Sequence, residues 1–195
     1  MSVADRSIDP RIMESAKEEF LQKGFLDASL QVICKNAGVT TGALYKRFKG
    51  KEELFCALVE STVQDLEEVV RQKSVLPATL TDEQLKKAWD MDREYMQWWF
   101  DYLYDRYDEM RLLLVFSDGT KYANFEHEWV ESMSHTTYAY YKEAQRRGLT
   151  KTDISEKELH VMLSSFWTAI CEPLIHGFTK EEAGRISDLM CGLFD

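Results

Sequence analysis

The most diagnostic segment of this sequence is SLQVICKNAGVTTGALYKRFKGK, which runs from Ser29 to Lys51. Ser29 is a favourable N-cap residue, and the apolar residues that follow it recur at helical spacing. Gly38 can adopt the left-handed backbone conformation that ends a helix. Thr40 or Thr41 can then cap a second short helix. The segment therefore predicts two short helices joined by a tight turn.

Basic residues are concentrated at this end of the chain. The segment holds five lysines or arginines and no acidic residue, although the whole chain has a net charge of -10. Residues 1–51 carry nine basic and six acidic residues, whereas residues 52–195 carry fifteen and twenty-eight. DNA would repel such an acidic protein as a whole, but a basic end can meet phosphates on its own.

The second short helix has the composition of a helix that enters the major groove. Leu44 and Phe48 fall on its inner side, which leaves small residues at its start and a Tyr-Lys-Arg cluster on its other faces. Such a helix can reach base edges while its cations meet phosphates. The alternative is that the five basic residues form an ordinary solvated face.

The same region resembles the N-terminal signature of the TetR family of transcriptional regulators over about forty-five residues. The matching positions are Ile12, Ala16, Phe20, Gly24, Phe25, Ser29, Ile33, Ala37, Gly38, Val39, Thr40, Gly42, Leu44, Tyr45, Phe48, Lys51, Glu52, Glu53 and Leu54. Two positions depart from the family pattern. Ala28 precedes Ser29 where a Thr-Ser pair is common, and Lys46 stands where His is frequent.

The resemblance implies an assignment of DNA contacts. Base edges would be met by Thr41, Gly42, Ala43 and Lys46. Phosphates would be held by Ser29, Thr40, Tyr45 and Lys51. Gln31 and Arg47 could belong to either group.

Helical patterns continue through the rest of the chain, and three capping boxes begin at Thr81, Ser155 and Thr179. We expect an all-α fold of about nine helices. The predicted division is a helix-turn-helix domain over residues 1–51, a linking helix over 51–73 and a C-terminal domain over 74–195. The segment 74–80, with Pro77, is the clearest linker. The effector-binding and dimerisation roles of the last domain follow from the resemblance.

Motifs for catalysis and metal binding are scarce. His127 and Glu131 are four residues apart, but two ligands make no catalytic metal site. No phosphate-binding glycine loop, nucleophile elbow or CxxC pair is present, and the four cysteines are far apart. We therefore expect no metal, no cofactor and no enzymatic activity. The lack of a signal peptide and of an 18-residue apolar run favours a cytoplasmic protein without a membrane partner.

Aromatic residues crowd the middle of the chain, with eight between Trp89 and Tyr107. Core packing explains any one of them, but the set also suits a small-molecule cavity, which the resemblance implies for this domain. The candidate lining residues are Trp99, Leu103, Phe116, Trp129, Met133, Tyr141, Phe166, Trp167, Ile170 and Glu172. Interleaved carboxylates, and Glu172 beside Pro173, suggest a lipophilic cation as the ligand.

The last two predicted helices have broad apolar faces, which the family uses for dimerisation. Leu163, Ile186 and Phe194 are the candidate interface residues. A dimer would place two recognition helices ~34 Å apart, one turn of DNA, and so bind a palindromic operator. The sequence thus predicts a homodimeric repressor that a hydrophobic or amphipathic ligand releases from DNA. The alternatives are a helical ligand-sequestering protein without an operator and an all-α enzyme.

Overall fold

The computed structural model describes residues 8–74, 79–87 and 93–192. This part of the chain contains ten helices. They are α1 (Ile8–Asp27), α2 (Leu30–Ala37), α3 (Thr41–Tyr45), α4 (Lys51–Ser74), α5 (Asp82–Lys87), α6 (Arg93–Tyr104), α7 (Tyr107–Val115), α8 (Phe125–Arg146), α9 (Glu156–Ile175) and α10 (Lys180–Gly192). The prediction of an all-α fold is confirmed.

The helix count differs from the predicted nine at one place. The helix expected to start at Thr81 is described as α5 and α6, and residues 88–92 between them, with Trp89, lie outside the described residues. Pro77 of the predicted linker and Phe194 of the predicted dimer interface also lie outside them. The three predicted capping boxes are confirmed, because Gln84, Glu158 and Glu182 each exchange hydrogen bonds with the threonine or serine three residues earlier.

The chain packs into two compact units. The first unit comprises residues 1–64 and 107–124, and the second comprises residues 65–106 and 125–195. Helix α4 contributes its first part to the first unit and its last part to the second. The domain limits expected from the sequence, at residues 51 and 74, stay predictions.

The core of the first unit is built around three phenylalanine rings. The ring centroids of Phe20, Phe25 and Phe55 lie 5.2–6.1 Å apart, and Ile12, Ile33, Leu44 and Leu54 are fully buried with them. Gly24, which the sequence predicted to end α1, has the non-helical backbone angles φ 73° and ψ 168°, so it breaks the helix at a kink and separates a last short turn within Ile8–Asp27. Glycine adopts this backbone conformation without steric penalty. The kink is followed by a hydrogen bond of 3.0 Å from the Phe25 N–H to the Phe116 carbonyl.

The turn after α7 is fixed by buried polar side chains. Thr120 donates to the Ser117 carbonyl at 2.7 Å, and the Tyr122 N–H donates to the Thr120 hydroxyl at 3.0 Å. The Tyr122 hydroxyl donates to Glu60 of α4 at 3.0 Å, and this bond lowers the pKa of Glu60. The turn and α7 are therefore integral parts of the first unit.

The second unit has a core of large aromatic and aliphatic side chains. Helices α8 and α9 pack together, and α6 packs on α9 and α10. Trp99, Phe100, Leu103, Ile170 and other side chains of these helices are fully buried. Among the described residues, no helix is both long enough and apolar enough to span a bilayer.

Candidate functional site

The turn between α2 and α3 follows from the local sequence. Gly38 has φ 65° and ψ 36°, and its N–H donates to the carbonyls at the end of α2. The Val39 N–H donates to the Cys34 carbonyl at 2.9 Å, which completes this C-terminal cap. Thr40 then caps α3, because its hydroxyl accepts the Ala43 N–H at 3.2 Å. The predicted helix-turn-helix is therefore formed.

The outer face of α3 is exposed, as a surface that contacts DNA requires. Leu44 is fully buried and anchors α3 to the first unit, whereas Tyr45 is 54% exposed. The other residues that the resemblance assigns to DNA on and beside this face are exposed or, for Ala43, half-buried; they are Gln31, Thr40, Thr41, Gly42, Ala43 and Lys46. Their roles as DNA contacts stay predictions, and all of these residues are accessible from solvent.

Ser29 occupies the N-cap position of α2 without using its side chain as a cap. Its backbone N–H instead donates to the buried Glu19 carboxylate at 3.0 Å. The Ser29 hydroxyl is half-buried at the start of α2 and is not consumed by capping. This arrangement is compatible with the predicted phosphate contact.

Two of the predicted DNA-contacting cations are engaged within the protein. The guanidinium of Arg47 pairs with Asp9 of α1 and donates to the Ala43 carbonyl at 3.1 Å. The Lys51 ammonium donates to the carbonyls of Leu26 and Ala28, at 2.8 and 3.1 Å. Lys51 therefore stabilises the end of α1. The sequence around Lys51 could not predict this role, because the carbonyls that its ammonium contacts are more than twenty residues away in the chain.

Three tryptophans from three helices meet in the second unit. The ring centroids of Trp99 of α6 and Trp167 of α9 are 5.2 Å apart, those of Trp129 of α8 and Trp167 are 5.6 Å apart, and those of Trp99 and Trp129 are 6.3 Å apart. We call these three residues the tryptophan cluster. The sequence predicted each of them as a ligand-binding residue, and the structure brings them together.

The indole N–H groups of the tryptophan cluster have no hydrogen-bond partner in the part of the protein that is described. Trp99, Trp129 and Trp167 are only 0%, 5% and 2% exposed, so bulk water does not replace a partner. A buried donor without an acceptor costs about 1–3 kcal/mol, and buried tryptophans usually pair this group. Three such donors in one cluster were not foreseen from the sequence, because the pattern of apolar residues does not specify where indole edges point.

The other predicted ligand-binding residues divide into three groups. Leu103 and Ile170 are fully buried in the second unit, and Tyr141 is buried with its hydroxyl bonded to the Thr152 carbonyl. Phe166 is half-buried and stacks on Tyr95 with 5.9 Å between ring centroids. Met133 is half-buried and lines a small surface recess with Val69 and Thr137.

The sequence also predicted Phe116 and Glu172 as ligand-binding residues, but neither belongs to the tryptophan cluster. Phe116 belongs to the first unit, where its carbonyl accepts the Phe25 N–H. Glu172 is half-exposed and pairs with His176 at 2.9 Å, so its carboxylate already has a partner. Burial, and secondarily the charge of Glu172, raise the pKa of Glu126. Because Glu172 already pairs with His176, its carboxylate provides weaker support for a cationic ligand than the sequence suggested.

No group of three or more histidine, cysteine or acidic side chains within the described ranges could hold a metal ion. The rings of His127 and His160 are neighbours, with centroids 6.0 Å apart. The features that the structure brings forward are an exposed helix-turn-helix surface and a buried aromatic cluster, both of which suit recognition.

An exposed recognition helix in a helix-turn-helix, joined to a second all-helical unit, is the architecture of helix-turn-helix DNA-binding proteins. Residues 12–58 match the family described as bacterial regulatory proteins, tetR family. The resemblance to the TetR family that the sequence indicated is thus confirmed.

Individual relatives support this family and the fold. The chain is 44% identical over 57 residues to the HTH-type transcriptional regulator SrpR of Pseudomonas putida, a match that covers 29% of this chain and only 27% of SrpR. It is 25% identical over 200 residues to the HTH-type transcriptional repressor AcnR of Corynebacterium glutamicum, covering 98% of this chain and 97% of AcnR. The crystal structure of FadR from Bacillus subtilis in complex with stearoyl-CoA superposes with a TM-score of 0.56 at 15% identity, covering 94% of this chain and 98% of FadR.

Proposed function

We propose that this chain is a homodimeric transcriptional repressor whose binding to operator DNA is controlled by a small ligand. The observation that carries the proposal is the exposed α3 surface, set by the Gly38 turn and the Thr40 cap inside a segment that matches the TetR family. The full-length similarity to a named repressor, AcnR, favours repression over activation.

DNA binding would depend on the basic side chains that remain exposed. Lys35, Lys46 and Lys49 lie on α2, directly after α3 and in the following turn, and all three are exposed. Arg47 and Lys51 contribute through their contacts within the first unit. In this proposal Thr41, Gly42 and Lys46 meet base edges, while the exposed lysines on either side meet phosphates.

Dimerisation would use the exposed apolar surface of the last two helices. On α9, Val161 is 63% exposed and Met162 is 53% exposed, and on α10 Leu189 is 54% exposed. Ile186 is half-buried. Leu163, proposed from the sequence as an interface residue, is 6% exposed and packs inside its own unit. The interface is therefore better assigned to Val161, Met162 and Leu189.

The ligand would bind in the second unit, beside the tryptophan cluster. The FadR neighbour is named as a complex with stearoyl-CoA, a molecule with a long apolar chain and a polar head. A ligand of that general kind suits aromatic walls better than a small polar metabolite would. Release of DNA requires that the ligand bind more tightly to the DNA-incompetent conformation than to the competent one.

Electrophoretic mobility shift on the DNA upstream of the protein's own gene tests this function. We expect a specific complex that weakens steeply with salt, because phosphate contacts release counterions. Lys46→Ala should change the preference among operator variants, whereas Lys151→Ala, an exposed lysine of the second unit, should not. Binding no stronger than to a shuffled duplex would reject the repressor and favour the ligand-sequestering protein of the same fold.

A further inference from the structure

The tryptophan cluster carries information about the chemistry of the ligand. Trp99, Trp129 and Trp167 belong to three helices, and every pair of their rings lies within 6.3 Å. Their three indole donors are buried and unpartnered within the described residues. A core selected only for packing would hold phenylalanine or leucine here, because neither side chain leaves a donor unpaired.

The only acceptors that the cluster offers to itself are ring faces. Trp99 stands at 87° to Trp167 and at 82° to Trp129, so an indole edge does meet a neighbouring face. An N–H directed at a ring is a weaker bond than one directed at oxygen. The pair formed by Trp129 and Trp167 is tilted at 44°, which is a poorer edge-to-face arrangement. Ring faces therefore do not replace oxygen acceptors for all three donors.

We infer that the ligand carries a carbonyl, ester or carboxylate oxygen that accepts hydrogen bonds from the tryptophan cluster, on a mainly apolar body without a cationic head. This inference rests on the proposed ligand-binding function and narrows it. Indole N–H groups attract an oxygen acceptor and repel a cation, which would also leave them unpaired. Aromatic faces around them accommodate the apolar body. This proposal replaces the lipophilic cation that the sequence suggested.

The direct test observes the indole N–H groups themselves. The chain has five tryptophans, so 15N-tryptophan labelling gives five indole cross-peaks in a two-dimensional NMR spectrum of the full-length protein. Benzophenone and diphenylmethane are matched probes of nearly equal shape that differ in one carbonyl. Benzhydrylamine, which is cationic at neutral pH, is the third probe.

We expect benzophenone to move one or two of the indole proton resonances of Trp99, Trp129 and Trp167 downfield, as new hydrogen bonds do, because a carbonyl oxygen has two lone pairs. Diphenylmethane should produce only small ring-current shifts, and benzhydrylamine should not shift these resonances downfield. Trp99→Phe, Trp129→Phe and Trp167→Phe assign the peaks, and each variant whose peak benzophenone moves should weaken benzophenone binding about tenfold, the loss expected for one hydrogen bond. Trp98→Phe is the control. Its ring packs on Trp99 with 4.8 Å between centroids, but Trp98 is 44% exposed and its indole N–H is not one of the buried unpaired donors, so this variant should leave benzophenone binding unchanged.

A second measurement requires neither a ligand nor the three cluster variants. In a background that carries Trp89→Phe and Trp98→Phe, replacing the remaining tryptophans by benzothienylalanine, which has sulfur in place of the indole N–H, removes the three cluster donors and keeps their shape. Because the cluster donors are unpaired in the ligand-free protein, its melting temperature should not fall. A clear fall would mean that these donors are already bonded and would overturn the inference, as would equal indole shifts with benzophenone and diphenylmethane or no shift with either.

The two proposals fail in different ways. If benzophenone moves the indole proton resonances of the tryptophan cluster but the protein binds no DNA specifically, the inference of an oxygen acceptor on the ligand stands and the repressor function is rejected. If operator DNA is bound specifically but benzophenone leaves all three indole resonances unchanged, the repressor function stands and the acceptor chemistry is rejected.

Discussion

Replacing Lys51 by methionine separates two roles for this side chain. The resemblance assigns Lys51 to a DNA phosphate, whereas in the structure its ammonium donates to the Leu26 and Ala28 carbonyls at 2.8 and 3.1 Å and lies 4.8 Å from the centroid of the Phe25 ring. Methionine keeps most of the length and apolar contact of the side chain and removes only the charge and the donors. The end of α1 would then lose both bonds.

The expected loss of stability is modest because the site is partly open to solvent. Hydrogen bonds to a charged group contribute about 1.5–3 kcal/mol each when they are buried. One of the two bonds here is exposed and the other is part-buried. Discounting for solvent, and adding about 0.5 kcal/mol for the cation–π contact, gives about 2 kcal/mol in total. A change of that size lowers the melting temperature by about 4–8 °C in a chain of this length.

Thermal unfolding followed by circular dichroism, and mobility shifts at several salt concentrations, measure the two roles in the same variant. We expect Lys51→Met to lower the melting temperature while changing the salt dependence of DNA binding by less than one counterion. Lys49→Met is the matched control for the loss of one positive charge in this region, because Lys49 lies two residues earlier and is exposed. A variant that melts like the unmodified protein but loses a full unit of salt slope would refute the structural role.

Three further predictions address the turn after α7, the dimer and the pH dependence. Gly119→Ala should destabilise the protein by about 2 kcal/mol in chemical denaturation, because φ is +87° and a Cβ atom would lie 2.5 Å from Leu26. Gly148→Ala is the control: φ is +71° but the space around a Cβ atom is open, so this variant should lose only about 1 kcal/mol. Met162→Asp should leave each protomer folded but weaken the proposed dimer by several kcal/mol, and sedimentation showing an unchanged dimer at low micromolar concentration would contradict this placement. Burial raises the pKa of Glu126 in the folded protein above its value in the unfolded chain. The contribution of Glu126 to the free energy of unfolding is therefore most favourable below its pKa in the unfolded chain, and it is lost as pH rises through its pKa in the folded protein. Glu126→Gln should therefore raise the melting temperature at pH 7 and have little effect at pH 4.

Local chemistry explains what the sequence could predict. The Gly38 turn, the Thr40 cap and the Ser155 capping box each depend on residues within a few positions of one another, and all three form as expected. Helix boundaries were also largely predictable, because glycine, caps and apolar periodicity act locally. The recognition surface followed from the same signals, since one buried leucine, Leu44, fixes which side of α3 faces outward.

Long-range geometry explains what the sequence could not predict. The bonds from Lys51 to the end of α1 and the packing of Phe116 in the first unit join residues that are distant in the chain. Leu163, which the sequence predicted at a dimer interface, is only 6% exposed, because an amphipathic pattern defines an apolar stripe only to within a residue or two. The unpaired indole donors depend on ring orientation, which no residue pattern encodes.

The first unit is built from two separate stretches of the chain, and this constrains when its core can form during synthesis on the ribosome. Its core includes α7 and the turn after it, yet residues 65–106 are synthesised between those parts and the part of the unit that ends at Gln64. The Phe25 N–H cannot reach the Phe116 carbonyl until about ninety further residues have been added. At about 5–20 residues per second, the sixty residues from 64 to 124 take about 3–12 s to translate. During that interval the nascent helix-turn-helix lacks part of its core, and the Phe20, Phe25 and Phe55 rings remain incompletely covered while the rest of the chain is still on the ribosome.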